Sequence, residues 1–221
     1  MPRPKRHSPG GYCYHVLSRG NARQQVFHKD EDYAAFLRLF DAAHERCPMR
    51  VLAYCLMPNH FHLVLWPRDD GDLSRWMQWV LTTHVRRYHE HYQTSGHVWQ
   101  GRFKAFPIQE DDHLLAVLRY AERNPQRAGL VARGKSWPYC SLRLFGQSDL
   151  PAWYSPGPVP RGRDWLRHVA EPQTEAELLD LRRSVNRGTP YGSKSWQKRT
   201  ITRLGLESTL RPRGRPRKKI Q

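Results

Sequence analysis

The sequence predicts an α+β fold, a ferredoxin-like antiparallel sheet with helices, followed by a mostly irregular or helical basic C-terminal extension. Three observations predict it. Stretches of strand-like and helix-like patterning follow one another in the order β-α-β-β-α-β. A further amphipathic stretch at 111–123 adds a helix after the last strand. Residues 134–165 are rich in Pro, Gly and Trp with little periodicity and read as a linker wrapping over the main domain, before a short helix at 171–185 that Leu178, Leu179, Leu181 and Val185 could dock and a second short helix or turn at 193–204.

Residues 1–10 are basic and contain Pro2, Pro4, Pro9 and Gly10, which predicts a flexible arm. Residues 12–18 alternate in strand fashion. Arg19-Gly20-Asn21-Ala22-Arg23 follows as a turn with two guanidiniums, in which Gly20 can adopt a positive φ and let a backbone approach closely. An ordinary charged turn is the alternative. Tyr33, Phe36, Leu37 and Phe40 mark a helix over 30–46, with Asp30, Glu31 and Asp32 suited to its N-terminus. Residues 50–57 and 60–66 form a hairpin across Pro58-Asn59. Asp72 is the expected N-cap of the next helix, whose apolar stripe runs from Leu73 through Trp76, Val80 and His84 to Tyr88. That stripe puts His84 and Tyr88 at the edge of the core rather than in a site.

Residues 96–108 read as an irregular start and a fourth strand. Trp99, Arg102 and Lys104 lie there as a candidate platform for single-stranded nucleic acid, against the alternative of a β-edge with a buried Trp99. In the 111–123 helix, Val117, Leu118 and Ala121 face a core. Tyr120 and Asn124, four apart, share the neighbouring face, and Pro125 ends the helix. The expected organisation is an arm at 1–10, a catalytic domain at 11–145, an extension of linker and short helices at 146–210, and a Pro/Arg tail at 211–221.

The chain has 221 residues, enough for a substantial core, and 37 Lys plus Arg against 20 Asp plus Glu, a formal charge of +17. Eight tryptophans and ten tyrosines are interleaved with the arginines, which favours nucleic acid over a membrane or an acidic protein as partner. Cys13, Cys47, Cys55 and Cys140 form no Cys-x-x-Cys pair, so a zinc ribbon or thioredoxin-type site is not expected. No run approaches the ~20 apolar residues of a membrane span, and free thiols in a cytoplasm are the expected state.

The chemistry centres on Met57-Pro58-Asn59-His60-Phe61-His62. On a strand, His60 and His62 project from one face and Phe61 from the other. Two imidazoles so placed make half of a metal site; alone, they more often read as two partly exposed histidines on a sheet. If the 111–123 helix delivers Asn124 beside them, two nitrogens and an amide oxygen suit Mg²⁺ or Mn²⁺ shared with a phosphate. Tyr120 would then be placed to attack phosphorus and form a covalent phosphotyrosine.

His60-Phe61-His62 resembles the HUH motif of single-strand DNA endonucleases. Together with residues 12–21 and Tyr120-Ala121-Glu122-Arg123-Asn124-Pro125, it resembles the single-tyrosine transposases of bacterial insertion sequences, and most closely their REP-associated tyrosine transposase branch. The stretch from Arg182 through Gly188, Trp196 and Leu204-Gly205-Leu206-Glu207 to Gly214-Arg215-Pro216 resembles the C-terminal extension of one branch. The resemblance implies His60, His62 and Asn124 as metal ligands and Tyr120 as nucleophile. It implies a bacterial, cytoplasmic, nucleoid-associated enzyme that cleaves and rejoins single strands beside REP-type DNA hairpins, working as a monomer or weak dimer.

Arg19, Asn21, Arg23, Trp99, Arg102 and Lys104 are the expected DNA contacts, with Arg213, Arg215 and Arg217 in the tail. Arg213-Gly214-Arg215-Pro216 resembles an AT-hook core, against the alternative of a basic tail gripping phosphates. Two other functions fit parts of the pattern: a hairpin-binding module without catalysis, and a metal-dependent hydrolase using water.

Overall fold

The computed structural model of the protein describes residues 8–211. Its elements are β1 (Cys13–Arg19), α1 (Asp30–Arg46), β2 (Arg50–Met57), β3 (His60–Trp66), α2 (Asp72–Tyr92), β4 (Lys104–Ile108), α3 (Asp112–Glu122) and α4 (Asn124–Arg127). Three more helices follow: α5 (Trp165–Ala170), α6 (Glu175–Arg187) and α7 (Lys194–Leu204). The four strands form one antiparallel sheet in the order β2-β3-β1-β4. That order, with the β-α-β-β-α-β sequence, is the ferredoxin-like arrangement expected.

The sheet is covered on both faces. Phe61, Leu63 and Leu65 of β3 turn toward α1 and α2, where they meet Phe36, Phe40, Trp76 and Val80 in one buried cluster. Val64 and its same-face neighbours Cys13, Phe106 and Ile108 meet Val117, Leu118 and Ala121 of α3 in a second. Strict alternation therefore hides in strands that read as almost continuously apolar. In β2 the register shifts between Val51 and Ala53, and this irregularity lets Leu52 and Ala53 both join the α3 side.

The C-terminal extension wraps over the sheet and docks on it, with Leu181 buried and Leu178 and Val185 packed beside it, as expected of the short helix there. Trp165, Val169, Leu181 and Tyr191 belong to the α3-side cluster. Both outer strands are also closed by later segments. Leu56 N–H donates to Tyr139 O (2.9 Å) and Val51 N–H to Trp153 O (2.8 Å) along β2. Tyr191 N–H donates to Pro107 O and Gln109 N–H to Tyr191 O (2.9 Å each) beside β4. Unpaired edge strands invite intermolecular pairing, and these contacts remove that liability.

Several local expectations change. The helix α5 lies where the sequence reads as irregular; its six residues are too few to show a period. Asp72 is the first residue of α2 rather than its cap, which is Gly71 in the left-handed region (φ 84°). Gly20 has φ −55°, so it is close approach and not positive φ that requires glycine: a Cβ there would lie 2.2 Å from Gln24 O. The positive φ angles of this turn fall instead on Ala22 and Arg23. Arg213, Arg215 and Arg217 lie outside the described residues. No helix among the described residues is long and apolar enough to cross a membrane.

His84 is buried among Phe27, Phe36 and Trp99, with ring centroids 5.0–5.7 Å away. Burial pushes its pKa down from 6.5 to about 4. The folded pKa lies below the unfolded one, so the unfolded chain binds the extra proton first as pH falls. Stability attributable to the neutral ring is thus complete above about pH 6.5 and is lost as pH falls toward about 4, by roughly 3 kcal/mol at most. Urea unfolding midpoints across this range should fall in the wild type and fall less steeply in His84→Phe. Parallel pH profiles would exclude His84 as a source of the acid sensitivity.

Candidate active site

The site forms where β1, β3 and α3 meet. Register pairs Arg19 with His60 and Leu17 with His62 across β1 and β3, and Leu17 with Lys104 across β1 and β4. Arg19, His60, His62 and Lys104 thus share the face that α3 covers. The His60 and His62 rings lie 5.1 Å apart. Tyr120, on the last turn of α3, presents its ring edge-on to His62 at 5.6 Å. Its hydroxyl makes no hydrogen bond among the described residues.

Each histidine is fixed by a partner. His60 Nδ1 lies 2.6 Å from Asn59 Oδ1. The Asn59 amide nitrogen donates to Arg23 O (3.1 Å), which identifies the oxygen as the atom facing His60. His60 Nδ1 must then carry the proton, leaving the Nε2 lone pair free. His62 Nδ1 lies 2.9 Å from Nε2 of His15, a fully buried ring on β1. Burial pushes His15 down to about 3, and burial together with Arg19 and Arg127 pushes His60 down to about 4. His62 is also held well below its ordinary value, by burial first and then by His60, His15 and the two arginines. The three rings are therefore neutral near pH 7, the protonation state that a metal ligand requires.

Asn124 is buried at the start of α4. Its amide nitrogen donates to Tyr120 O (2.9 Å) and Ala121 O (3.3 Å), folding the side chain back over the end of α3. The amide oxygen accepts a hydrogen bond from Arg127 Nη2. The Arg127 guanidinium also lies 4.3 Å from the centroid of the Tyr120 ring. Among the described residues no three His, Cys, Asp or Glu side chains are grouped to hold a metal. A cation here would need a ligand of another type, and the Asn124 oxygen is of that type. Two neutral imidazoles with orienting partners and one amide oxygen fit a divalent ion.

The helix carrying these groups is anchored from behind. The Glu122 carboxylate is fully buried and accepts from Ser141 Oγ (2.7 Å) and Trp165 Nε1 (2.8 Å), with Arg161 Nη1 at 3.5 Å. Arg123 donates to the carbonyls of Val169 and Ala170, and Arg119 to those of Glu171 and Pro172. The open carbonyls at the end of α5 are thus satisfied by side chains of α3 and its C-cap.

Arg19, Arg102 and Lys104 converge with Ser18, Gln100 and Asn186 on a small cleft of about 70 Å³ beside the histidine pair. Arg102 and Lys104 are exposed and Arg19 half-buried, while Asn21 and Arg23 are exposed on the neighbouring turn. Trp99 departs from the stacking platform expected of it. Its ring is 5% exposed and packs on Phe61, Phe27 and His84, while Gly20 pairs with its backbone. Apolar contact on the α1/α2 side outweighs exposure to a strand of nucleic acid. His15 and Arg127 escape sequence reading. The only trace of His15 was its strand phase, two residues before Leu17. Arg127 stands three residues after Asn124, one helical turn on.

A family model described as "Transposase IS200 like" matches residues 10–124, a stretch that contains both histidines, Tyr120 and Asn124. The chain belongs to this family. Among curated relatives, a Haemophilus influenzae protein named as a REP-associated tyrosine transposase is 31% identical over 117 residues, covering 48% of this chain and 66% of that protein. Among solved structures, a REP-associated tyrosine transposase bound to a REP hairpin superposes with a TM-score of 0.53 at 20% identity, over 74% of this chain and 95% of the other. That likeness bears out the α+β fold. The resemblance to the REP-associated branch drawn from the motifs is matched by both relatives.

Proposed function

We propose that the protein is a divalent-metal-dependent transposase that cleaves and rejoins single-stranded DNA beside REP-type hairpins, with Tyr120 as the nucleophile. The observation that carries this reading is the Tyr120 ring, 5.6 Å from His62, with a hydroxyl that makes no hydrogen bond among the described residues. The ring is buried, while the hydroxyl is not among the buried partnerless atoms of the described residues and so is open to an approaching phosphodiester. The hairpin as substrate is inferred from the structural relative and from the charge of +17.

His60, His62 and Asn124 would hold Mg²⁺ or Mn²⁺. Such an ion supplies Lewis-acid polarisation of a phosphodiester oxygen. The remaining work belongs to the chain. Asn59 and His15 orient the two imidazoles. Arg19, Arg102 and Lys104, with Asn21 and Arg23 on the adjoining turn, track the strand leading to the scissile phosphate, and the tail arginines Arg213, Arg215 and Arg217 extend that grip. Tyr120 Oη forms a bond to phosphorus as the bond from phosphorus to the 3′ oxygen breaks. The phenol loses its proton and the leaving oxygen gains one. The product is a 5′-phosphotyrosine and a free 3′-hydroxyl, and attack by a 3′-hydroxyl in reverse rejoins the strand. We assign this work to a cytoplasmic monomer or weak dimer acting at the nucleoid.

The test is incubation of the full chain with an end-labelled, single-stranded-tailed hairpin and Mn²⁺ or Mg²⁺, followed by a denaturing gel and mass spectrometry of the adduct. A metal-dependent covalent band whose modified peptide contains Tyr120 is expected. Cleavage without any adduct would instead indicate a hydrolase using water, and hairpin binding without cleavage would indicate a binding module.

A further inference from the structure

Arg127 is the least explained group near the site. It is half-buried on α4, a place where a guanidinium needs a reason. Nη2 donates to the Asn124 amide oxygen, and the guanidinium lies 4.3 Å from the Tyr120 ring centroid. Nη1 is buried with no hydrogen-bond partner among the described residues. Among the described residues no carboxylate pairs with it at salt-bridge distance. The Tyr120 ring that it covers lies 5.6 Å from His62, so the guanidinium and the imidazole pair flank the same tyrosine.

An unpaired, partly desolvated guanidinium beside a nucleophile is suited to an anion with planar or tetrahedral oxygens. A phosphodiester approached by the Tyr120 hydroxyl would offer Nη1 such an oxygen. The contact with Asn124 carries a second consequence. An amide oxygen has two lone pairs, but a guanidinium on one of them sets a full positive charge beside any divalent ion on the other, and the two cations repel each other.

We propose that Arg127 is a further catalytic residue, one that binds a non-bridging oxygen of the scissile phosphodiester and, before that, occupies the Asn124 oxygen that a divalent cation must take. This rests on the proposed tyrosine chemistry and adds an order to it. The guanidinium leaves Asn124 for the phosphate, and the amide oxygen becomes available to the metal. Phosphodiester binding and metal binding then favour each other, as linkage requires.

The probe for the exchange is Mn²⁺ alone, titrated by electron paramagnetic resonance into full-length wild type, Arg127→Gln, Arg127→Lys and His60→Ala. Removing the competing cation should tighten His60-dependent Mn²⁺ binding about tenfold in Arg127→Gln. Arg127→Lys, which keeps a charge but has a shorter reach, should lie between. In the adduct assay with the hairpin, Arg127→Gln should slow covalent capture by about a hundredfold or more, with partial rescue by Arg127→Lys. Circular dichroism establishes that each variant folds, and the lysine variant keeps the test decisive if the glutamine variant does not. Equal Mn²⁺ affinity in wild type and the Arg127 variants, or adduct rates within threefold, overturns the role of Arg127 while the tyrosine chemistry stands. No His60-dependent Mn²⁺ binding in any variant overturns both. Tighter Mn²⁺ binding in the Arg127 variants with no adduct in wild type sinks the tyrosine reading and the phosphodiester role together, and leaves the exchange at Asn124.

Discussion

Tyr120→Phe is expected to abolish the covalent protein–DNA adduct while leaving the fold intact. The two halves of that expectation come from different parts of the structure. The ring is 6% exposed and touches His62 and His15 edge-on, with Arg127 over its face, and phenylalanine preserves all three contacts. The hydroxyl makes no hydrogen bond among the described residues, so its removal strands no partner. Deleting a polar group without a partner is close to neutral, within about 1 kcal/mol. Chemistry is affected without limit, because no bond to phosphorus can form without the oxygen. Thermal unfolding should therefore superimpose for the two proteins, while the adduct band on a denaturing gel disappears in the variant. A residual adduct would move the nucleophile to another tyrosine. A large loss of stability would give the hydroxyl a structural role that the packing does not explain.

How far the site could be read in advance follows from how local each signal is. His60 and His62 sit two apart on a strand, and Tyr120 and Asn124 four apart on a helix, so strand and helix periods alone put each pair on one face. That Tyr120 meets His62 depends on the sheet order and on which face α3 covers, which local periods do not contain. The partners that orient them were not legible for the same reason. His15 reaches His62 across a strand pairing 47 residues away, and nothing local to Tyr14-His15-Val16 marks it. Trp99 was ambiguous because an aromatic beside cations has the same composition whether it packs on a core or stacks on a base. The α1/α2 cluster decided it, and that cluster is tertiary. The linker at 134–165 read as irregular because its packing lies in single residues such as Trp153 and Trp165, each pinned to the sheet or to α3 by one or two contacts, whereas the short helices expected at 171–185 and 193–204 have periodic faces and are found as α6 and α7.

Glu122 shows what that extension does for the catalytic helix, and Glu122→Gln should be among the most destabilising conservative substitutions in the chain. The carboxylate is fully buried and stands between Tyr120 and Asn124, facing the opposite way. Its two oxygens gather Ser141, Trp165 and Arg161, groups from three later segments. Arg161 in turn donates to Tyr154 Oη (2.9 Å) and to Leu52 O on β2. Ser141 Oγ accepts from Tyr54 N–H (3.0 Å) on the same strand. One side chain thus couples α3 to β2 through the extension. Glutamine keeps the volume but replaces one acceptor with a donor that faces donors on every side, and it leaves the 4%-exposed Arg161 side chain without its counter-charge. Removing one partner of a buried ion pair costs about 3–5 kcal/mol, against near neutrality when both are replaced together. Urea denaturation should show a loss in that range for Glu122→Gln, and Glu122→Gln with Arg161→Met should lose clearly less than the sum of the two single changes. Strict additivity would mean that the carboxylate and the guanidinium act independently. The 3.5 Å contact would then be incidental, and the phase of α3, with the positions of Tyr120 and Asn124, would rest on apolar packing alone.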